Sequence, residues 1–381
     1  MSEVQSTSQA LPKDYLALFQ EEPAARLTLR RLPVPEAVAG SVVIRVLAAL
    51  ILTYAREIYN GERKYYYPTP YVPGASAVGR VVAVGPDATK LSAGDLVIAD
   101  ATIRGRDDPE AIFLSGIHGG YSEGARKLSQ GMWRNSTFAE YARMPMESCT
   151  RLNESRLLGS PQDGGLGLEV ADLAFIQTAM IPFGGLRDIN LRAGERIIIC
   201  PATGNFGGAA VMVALAMGAS VIAMGRNTEV LAKLKELGKG RVDTIQLSGN
   251  AEDDEKALQS YGGVDAYFDI SPPQAASSSH FRSCILALKP RGRVSLMGGM
   301  MREQGFPCSV VVHNQITLRG KWMAEANDIT PFLQLVEAQM LTLGEKGGVT
   351  VRGKFGLKDW QEAFDRAAAN AQPGDLTVFT P

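Results

Sequence analysis

The residues with the clearest chemical content run from Arg196 to Val211, Arg-Ile-Ile-Ile-Cys-Pro-Ala-Thr-Gly-Asn-Phe-Gly-Gly-Ala-Ala-Val. A short apolar strand, Ile197 to Cys200, enters a loop carrying Gly204, Gly207 and Gly208, and a helix-forming stretch, Ala209 to Met217, follows at once. Glycines allow a tight turn and close backbone approach, while free N–H groups and the dipole at a helix start attract an anion. Thr203, Gly204, Asn205, Phe206, Gly207 and Gly208 are therefore predicted to cradle a nucleotide pyrophosphate. The Gly-x-x-Gly-Gly spacing is looser than the usual dinucleotide fingerprint, and an ordinary strand-to-helix turn is its alternative.

A second strand, Ser220 to Met224, ends in Gly225-Arg226-Asn227. In NAD-binding folds an acidic residue near this strand end, about 20 residues past the glycines, holds the ribose 2′-hydroxyl. Here the slot holds Arg226 with no carboxylate beside it. A guanidinium offers a planar fork of donors to a 2′-phosphate, which a carboxylate would repel. NADPH is thus predicted over NADH, with Gly225, Arg226 and Asn227 around its ribose; a solvated loop charge is the competing reading of Arg226. One further polar group stands out. His118, in Ile117-His-Gly-Gly-Tyr121, is bounded by glycines on a long segment, Asp100 to Asn135, of little periodicity. Such a segment reads as a lid or binding loop, and His118 as a general-acid candidate or a solvated histidine. Tyr65-Tyr66-Tyr67 can line an apolar cleft or serve a surface or dimer contact.

Two kinds of elements must position these groups. From Arg26 to about Asp100 the chain is β-rich, with strands at Leu27 to Leu32, Ser41 to Ala48, Ala77 to Val84 and Asp95 to Ala99, and another at Thr137 to Arg143. From about Ala171 strands and helices alternate. A helix at Phe175 to Leu186 precedes the glycine-loop unit; helices at Glu229 to Leu237, Glu252 to Gln259 and Phe281 to Leu288 separate strands at Thr244 to Leu247, Val264 to Ile270, Arg293 to Met297 and Ile316 to Lys321. This α/β alternation predicts a doubly wound parallel sheet. Ligands bind at the carboxyl ends of such strands, which adds Ser271, after the fourth strand, and Gly298 and Gly299, after the fifth. The last stretch, with helices at Asp328 to Leu343 and Trp360 to Ala369 and a strand at Leu376 to Phe379, is expected to return to the first domain. The predicted division is 1–170, 171–322 and 323–381.

Composition excludes several classes. The chain has 381 residues, 45% hydrophobic and 21% charged, as an ordinary globular protein does. Lys plus Arg number 39 against 40 Asp plus Glu, so no global field invites nucleic acid or an anionic membrane. No run of about 18 apolar residues occurs, and Met1 to Pro12 lacks the pattern of a secretory signal; the cytoplasm is the expected location. The four cysteines, Cys149, Cys200, Cys284 and Cys308, show no Cys-x-x-Cys spacing and suggest neither structural zinc nor a disulfide framework. His280 and His313 look structural.

Several segments together resemble the medium-chain dehydrogenase/reductase superfamily over nearly the whole chain. They are Val72-Pro-Gly-Ala-Ser-Ala-Val-Gly-Arg-Val-Val-Ala-Val-Gly85, Leu91-Ser-Ala-Gly-Asp-Leu-Val97, Ser136-Thr-Phe-Ala-Glu-Tyr141 and Leu191-Arg-Ala-Gly-Glu-Arg196, followed in order by the glycine loop. The resemblance implies a GroES-like β-rich catalytic domain, a Rossmann cofactor domain and an active site in the cleft between them. It also implies a homodimer paired through the edge of the nucleotide sheet, here Ile316 to Lys321. Zinc-dependent members carry Gly-His-Glu where this chain has Gly74-Ala75-Ser76, and a cysteine near Leu52; the four-cysteine lobe is missing from Asp100 to Asn135. Neither metal site is therefore expected. The chain looks like the zinc-independent quinone-reductase and enoyl-reductase branch, although the Asn that such quinone reductases often carry near Leu52 is absent too.

In that branch NADPH reduces an activated C=C or C=O, and the protein orients it and stabilises developing charge. By the same resemblance Thr178 lines the nicotinamide end, Tyr54 the cleft, and Ser76 the vacated ligand segment. Tyr54, Ser76 and His118 are the catalytic candidates, with a core-edge tyrosine and a space-filling serine as the structural alternatives. The expected function is reduction of a small, largely apolar quinone, enone or ketone. Metal-free oxidation of a secondary alcohol, and a non-catalytic NADPH-binding sensor or structural protein, remain open.

Overall fold

The structure, a computed structural model, describes residues 11–275, 277–300, 303 and 305–381. Of the N-terminal segment read as lacking a secretory signal, residues 1–10 lie outside these. The chain forms two compact units, Met1–Ser155 with Gly353–Ala368 and Thr377–Pro381, and Arg156–Arg352 with Ala369–Leu376.

The first unit is built on the strand Ser41–Leu50, which pairs antiparallel with Ala77–Val84 and with Tyr141–Pro145. Val378 and Phe379, near the chain's end, pair with its Leu50 and Ala49, and the sheet continues through Leu96–Ala99 to Cys149–Arg151. Its β-branched side chains bury against two returning aromatics: the Phe138 ring lies 4.9 Å from Phe379 and 6.1 Å from Phe364. The strand expected at Thr137 to Arg143 starts only at Tyr141. The physical reason is that Thr137 Oγ1 donates to Ala75 O at 2.7 Å and Phe138 N donates to Pro73 O at 3.0 Å. Those groups are committed to the segment 73–75 before the ladder begins.

Three elements had no sequence signal strong enough to place them. A strand Asp14–Phe19 pairs with Thr28–Pro33, a five-residue helix spans Ala55–Tyr59, and the segment Asp100 to Asn135 is a small lobe instead of an open loop. That lobe joins a hairpin, Thr102–Arg104 with Ile112–Leu114, to a helix, Glu123–Gln130, capped by Ser122 Oγ. Ile103, Phe113, Ala125 and Trp133 form its core. Its strands are three residues long, too short for period-two alternation to register.

The second unit holds a six-stranded, wholly parallel sheet in the order Val242–Gln246, Ser220–Gly225, Arg196–Cys200, Val264–Asp269, Leu288–Leu296, Thr317–Gly320. This is the doubly wound Rossmann order, with the direction of winding reversing beside Arg196–Cys200. Ile197, Ile198, Ile199 and Cys200 are fully buried, as a central parallel strand covered on both faces must be. Residues 156–170, 323–352 and 369–376, expected with the first domain, fall in the second unit. Helix Ile329–Glu337 packs Phe332 at 5.4 Å from Phe183 of helix Phe175–Asp188, so its apolar face is spent there.

Candidate functional site

In the second unit the glycine loop leaves Arg196–Cys200 at the switch point of the sheet and enters helix Asn205–Ala216. Each glycine has a different reason. A Cβ on Gly207 would stand 2.0 Å from Pro201 O, one on Gly208 2.2 Å from Pro373 Cβ, and one on Gly225 2.4 Å from Thr203 Cγ2. Gly204 differs: it is exposed, and a Cβ there would meet nothing within 4 Å. It is also the helix N-cap, with no side chain capping the first turn and no acidic residue within that turn. Open space before uncapped N–H groups at the positive end of a helix dipole fits a pyrophosphate.

Thr203 packs against Gly225, which brings the loop to the end of Ser220–Gly225, where Arg226 follows. Arg226 is exposed, and among the described residues no ion pair holds it. Asn227 has a task of its own: its Oδ1 accepts from Val230 N at 3.1 Å and caps helix Thr228–Leu237. The Asn205 side chain likewise turns to protein. Its Nδ2 donates to Asp375 O at 2.8 Å and Gln372 O at 3.4 Å, so what it offers an anion is its backbone N–H. The buttress 372–375, which also seats Pro373 against Gly208, had no signal in the sequence because it lies far along the chain.

At the carboxyl ends of the next two strands, Gly299 N donates to Ser271 O at 2.8 Å. The Ser271 side chain is buried and donates to Asp269 Oδ2 at 2.9 Å, so its hydroxyl is engaged with protein. Gly298 and Gly299 remain exposed at this edge. Thr178 is buried within helix Phe175–Asp188.

In the first unit two of the three donor candidates share one aromatic cluster. Tyr54, half-buried, opens helix Ala55–Tyr59; Arg63 lies 3.9 Å over its ring, donates to Glu57 Oε2 at 2.8 Å and to the Tyr65 hydroxyl at 3.3 Å. Burial, reinforced by Tyr65 and opposed by Arg63, pushes the Tyr54 hydroxyl well above its ordinary range. Tyr54 therefore keeps its proton at neutral pH and acts as a hydrogen-bond donor until a strongly basic oxyanion forms beside it. Tyr65 meets His118 edge-on at 5.3 Å, and Tyr121 covers the other contact at 4.7 Å. His118 is buried; Gly120 N donates to its Nδ1 at 3.0 Å, which puts the hydrogen of the neutral ring on Nε2. Burial lowers its pKa.

Ser76 stands apart from that cluster in its bonding. It is buried, its Oγ accepts from Ala101 N at 2.9 Å, and its carbonyl accepts from Leu50 N. The three consecutive tyrosines fan out: Tyr65 into the cluster, Tyr66 to the surface with its hydroxyl on Gln130, and Tyr67 into the core, stacked on Tyr71 at 5.2 Å. Arg56 pairs with Asp365 and Glu57 with Arg63. Arg63 is the residue that sequence reasoning missed, since nothing in its spacing marks a cation stacked on an aromatic ring.

Comparison with known proteins adds the following. Residues 38–154 match the family model described as the alcohol dehydrogenase GroES-like domain, and residues 206–338 the one described as zinc-binding dehydrogenase. An L-threonine 3-dehydrogenase of Anaeromyxobacter dehalogenans (strain 2CP-C) is 25% identical over 344 residues, covering 87% of this chain and 89% of its own. An NAD-dependent alcohol dehydrogenase of known structure is 22% identical with a TM-score of 0.72, covering 96% of this chain and 99% of its own. An E. coli CFT073 alcohol dehydrogenase solved with NADH is 16% identical with a TM-score of 0.76, covering 97% and 100%. A zinc ion does not fit the donor chemistry here. Ala75 offers no ligand atom, the Ser76 hydroxyl is taken by Ala101, and among the described residues no three His, Cys, Asp or Glu side chains converge. No helix among them is long and apolar enough to cross a membrane.

Proposed function

Because the chain belongs to the medium-chain dehydrogenase/reductase superfamily, as an oxidoreductase with a nicotinamide cofactor and a small-molecule substrate, we propose that it is a zinc-independent, NADPH-dependent reductase. Its substrate is a small, largely apolar molecule with an activated C=C or C=O, such as a quinone, an enone or a ketone. The observation that carries the cofactor choice is Arg226, exposed beside the Thr203–Gly225 contact where an NAD-binding chain would place a carboxylate. NADPH, when bound, would supply the hydride. The backbone from Thr203 to Gly208 holds its pyrophosphate, Arg226 its 2′-phosphate, and Gly298 and Gly299 the edge beyond. Tyr54, kept protonated by burial, donates to the developing oxyanion, with the neutral His118 as the second donor candidate. Ser76 serves as a backbone tie. The cytoplasm and a homodimer paired along Ile316 to Lys321, whose strand spans Thr317–Gly320, complete the reading.

The alcohol and threonine dehydrogenases among its relatives favour a second reading, metal-free oxidation of a secondary alcohol. One experiment separates the readings. The purified protein is assayed by nicotinamide absorbance against quinones, enones and ketones with NADPH, and against secondary alcohols with NADP+, alongside elemental analysis. Turnover of the first panel with substoichiometric zinc supports the proposal. Activity confined to alcohols supports the second reading, stoichiometric zinc overturns metal-free chemistry, and NADPH binding without turnover marks a binding protein.

A further inference from the structure

A buried polar network lies beneath the carboxyl edge of the sheet in the second unit. Asp269, the last residue of Val264–Asp269, is buried, as are Tyr267, Ser271 and His280. Its Oδ2 accepts from Tyr267 Oη at 2.7 Å and from Ser271 Oγ at 2.9 Å, and its Oδ1 accepts from Ser271 N at 3.1 Å. His280, which opens helix His280–Leu286, places Nε2 at 2.9 Å from Ser271 Oγ and 3.1 Å from Asp269 Oδ2, with Nδ1 at 2.6 Å from Ser278 Oγ. One imidazole thus joins both stems of the connection that leaves the strand at Ser271 and re-enters a helix at His280. A second buried carboxylate, Asp254, secures the latter stem by accepting from Ser279 Oγ at 3.0 Å.

Serine, histidine and aspartate in contact suggest a nucleophile, but all three side chains are buried and no substrate can reach Ser271 Oγ. What the network touches is the backbone. A Cβ on Gly298 would stand 2.5 Å from Asp269 Oδ1 and 2.6 Å from Ser271 N; Met297 N donates to Asp269 O and Gly299 N to Ser271 O. The ends of two adjacent parallel strands are locked together at the edge where ligands bind in doubly wound sheets.

We propose that His280 is a positioning residue for the nicotinamide cofactor, pinning both stems of the 271–279 connection so that Ser271 and Gly298–Gly299 hold one fixed edge against it. The inference rests on the cofactor reading given above. A buried network of this kind is rigid only while every member is satisfied, so removing the imidazole frees the edge without touching the glycine loop.

The test measures NADPH dissociation constants by nucleotide fluorescence, with melting temperatures, for the full chain. His280→Ala is expected to weaken binding about tenfold, the scale of a lost buried hydrogen bond, and His280→Gln to recover part of it by donating to Asp269. Ser278→Ala, a milder change that removes only the Nδ1 partner, shifts binding in the same direction with little change in melting. Ile285→Val, on the same helix and fully buried, loosens the core without touching the network and leaves affinity unchanged. Wild-type affinity in both His280→Ala and Ser278→Ala overturns the inference, as does equal weakening in Ile285→Val. If His280→Ala does not fold, Ser278→Ala against Ile285→Val decides. Absence of NADPH and NADH binding by the wild type overturns the cofactor reading itself and this inference with it.

Discussion

Two alanine substitutions in one loop should fail in opposite ways. At Gly204 the backbone angles, φ −94° and ψ 173°, suit any residue, and the added Cβ meets nothing within 4 Å. The fold then loses only the capping preference of glycine over alanine, about 0.5–1 kcal/mol. The new methyl occupies the space assigned to the pyrophosphate, and affinity should fall about 10- to 100-fold, or about 1.4–2.7 kcal/mol. At Gly207 the Cβ would stand 2.0 Å from Pro201 O, against the 3.0 Å floor of real contacts, and a backbone oxygen next to a fully buried strand cannot swing aside. Overpacking of that kind costs about 3 kcal/mol, of which better helix propensity returns about 1. The net loss of about 2 kcal/mol lowers the melting temperature by roughly 4–8 °C for a unit of this size. Fluorescence titration with NADPH and thermal melts on both variants supply the four numbers. Wild-type affinity in Gly204→Ala would falsify the placement of the pyrophosphate at Gly204, and an unshifted melt in Gly207→Ala would show that the strand-to-loop backbone yields.

Three further outcomes follow from the same geometry. Arg226→Glu puts a repelling charge where the 2′-phosphate belongs, so the KM for NADPH should rise by about tenfold or more while that for NADH changes little; unchanged preference removes Arg226 from the site. Tyr54→Phe keeps the ring beneath Arg63 and deletes only the hydroxyl, so kcat should fall about 100-fold with the melt nearly unmoved; a kcat close to wild type assigns proton donation elsewhere. His118 has a folded pKa lowered by burial from about 6.5 in the unfolded chain. The unfolded state takes up its proton first, so the stability this residue contributes is complete above about pH 6.5 and declines as pH falls from there to the folded value. Urea midpoints of wild type and His118→Gln should therefore converge or cross on going from pH 8 to pH 5.5, and parallel profiles would count against a buried neutral ring.

The α/β alternation was legible because it depends on local pattern, and the resemblance implied the Rossmann domain; the strand order itself came from the structure. Four consecutive buried residues at Ile197 to Cys200 read as a central parallel strand, and helix Trp360–Ala369 appears with the bounds expected for it. The lobe at Asp100 to Asn135 was not legible, because three-residue strands have no measurable period and their partners are fixed by Phe113 and Trp133 packing together. For residues 323–352 the reason is another: the amphipathic face of Ile329–Glu337 says that it must be buried, never against what, while Gly353–Ala368 and Thr377–Pro381 fall in the first unit.

The sequence alone determined which chemistries are available. Gly204 and Arg226 are facts of spacing, and the resemblance adds that Leu52, Ala75 and Ser76 stand where zinc-dependent members carry ligands; together they bias the nucleotide and the metal before any fold is known. Tertiary structure decided which side chains are free to act. The side chains of Asn205, Asn227 and Ser271, expected around the cofactor, each donate or accept inside the protein, which at Asn205 leaves the backbone N–H to face a ligand. Arg63 carried no signal and His280 read only as structural; one stacks on Tyr54 and the other joins two strand ends. A polar residue's type fixes what it can bond. Its partner comes from distant parts of the chain, and only the folded backbone brings those within 3 Å.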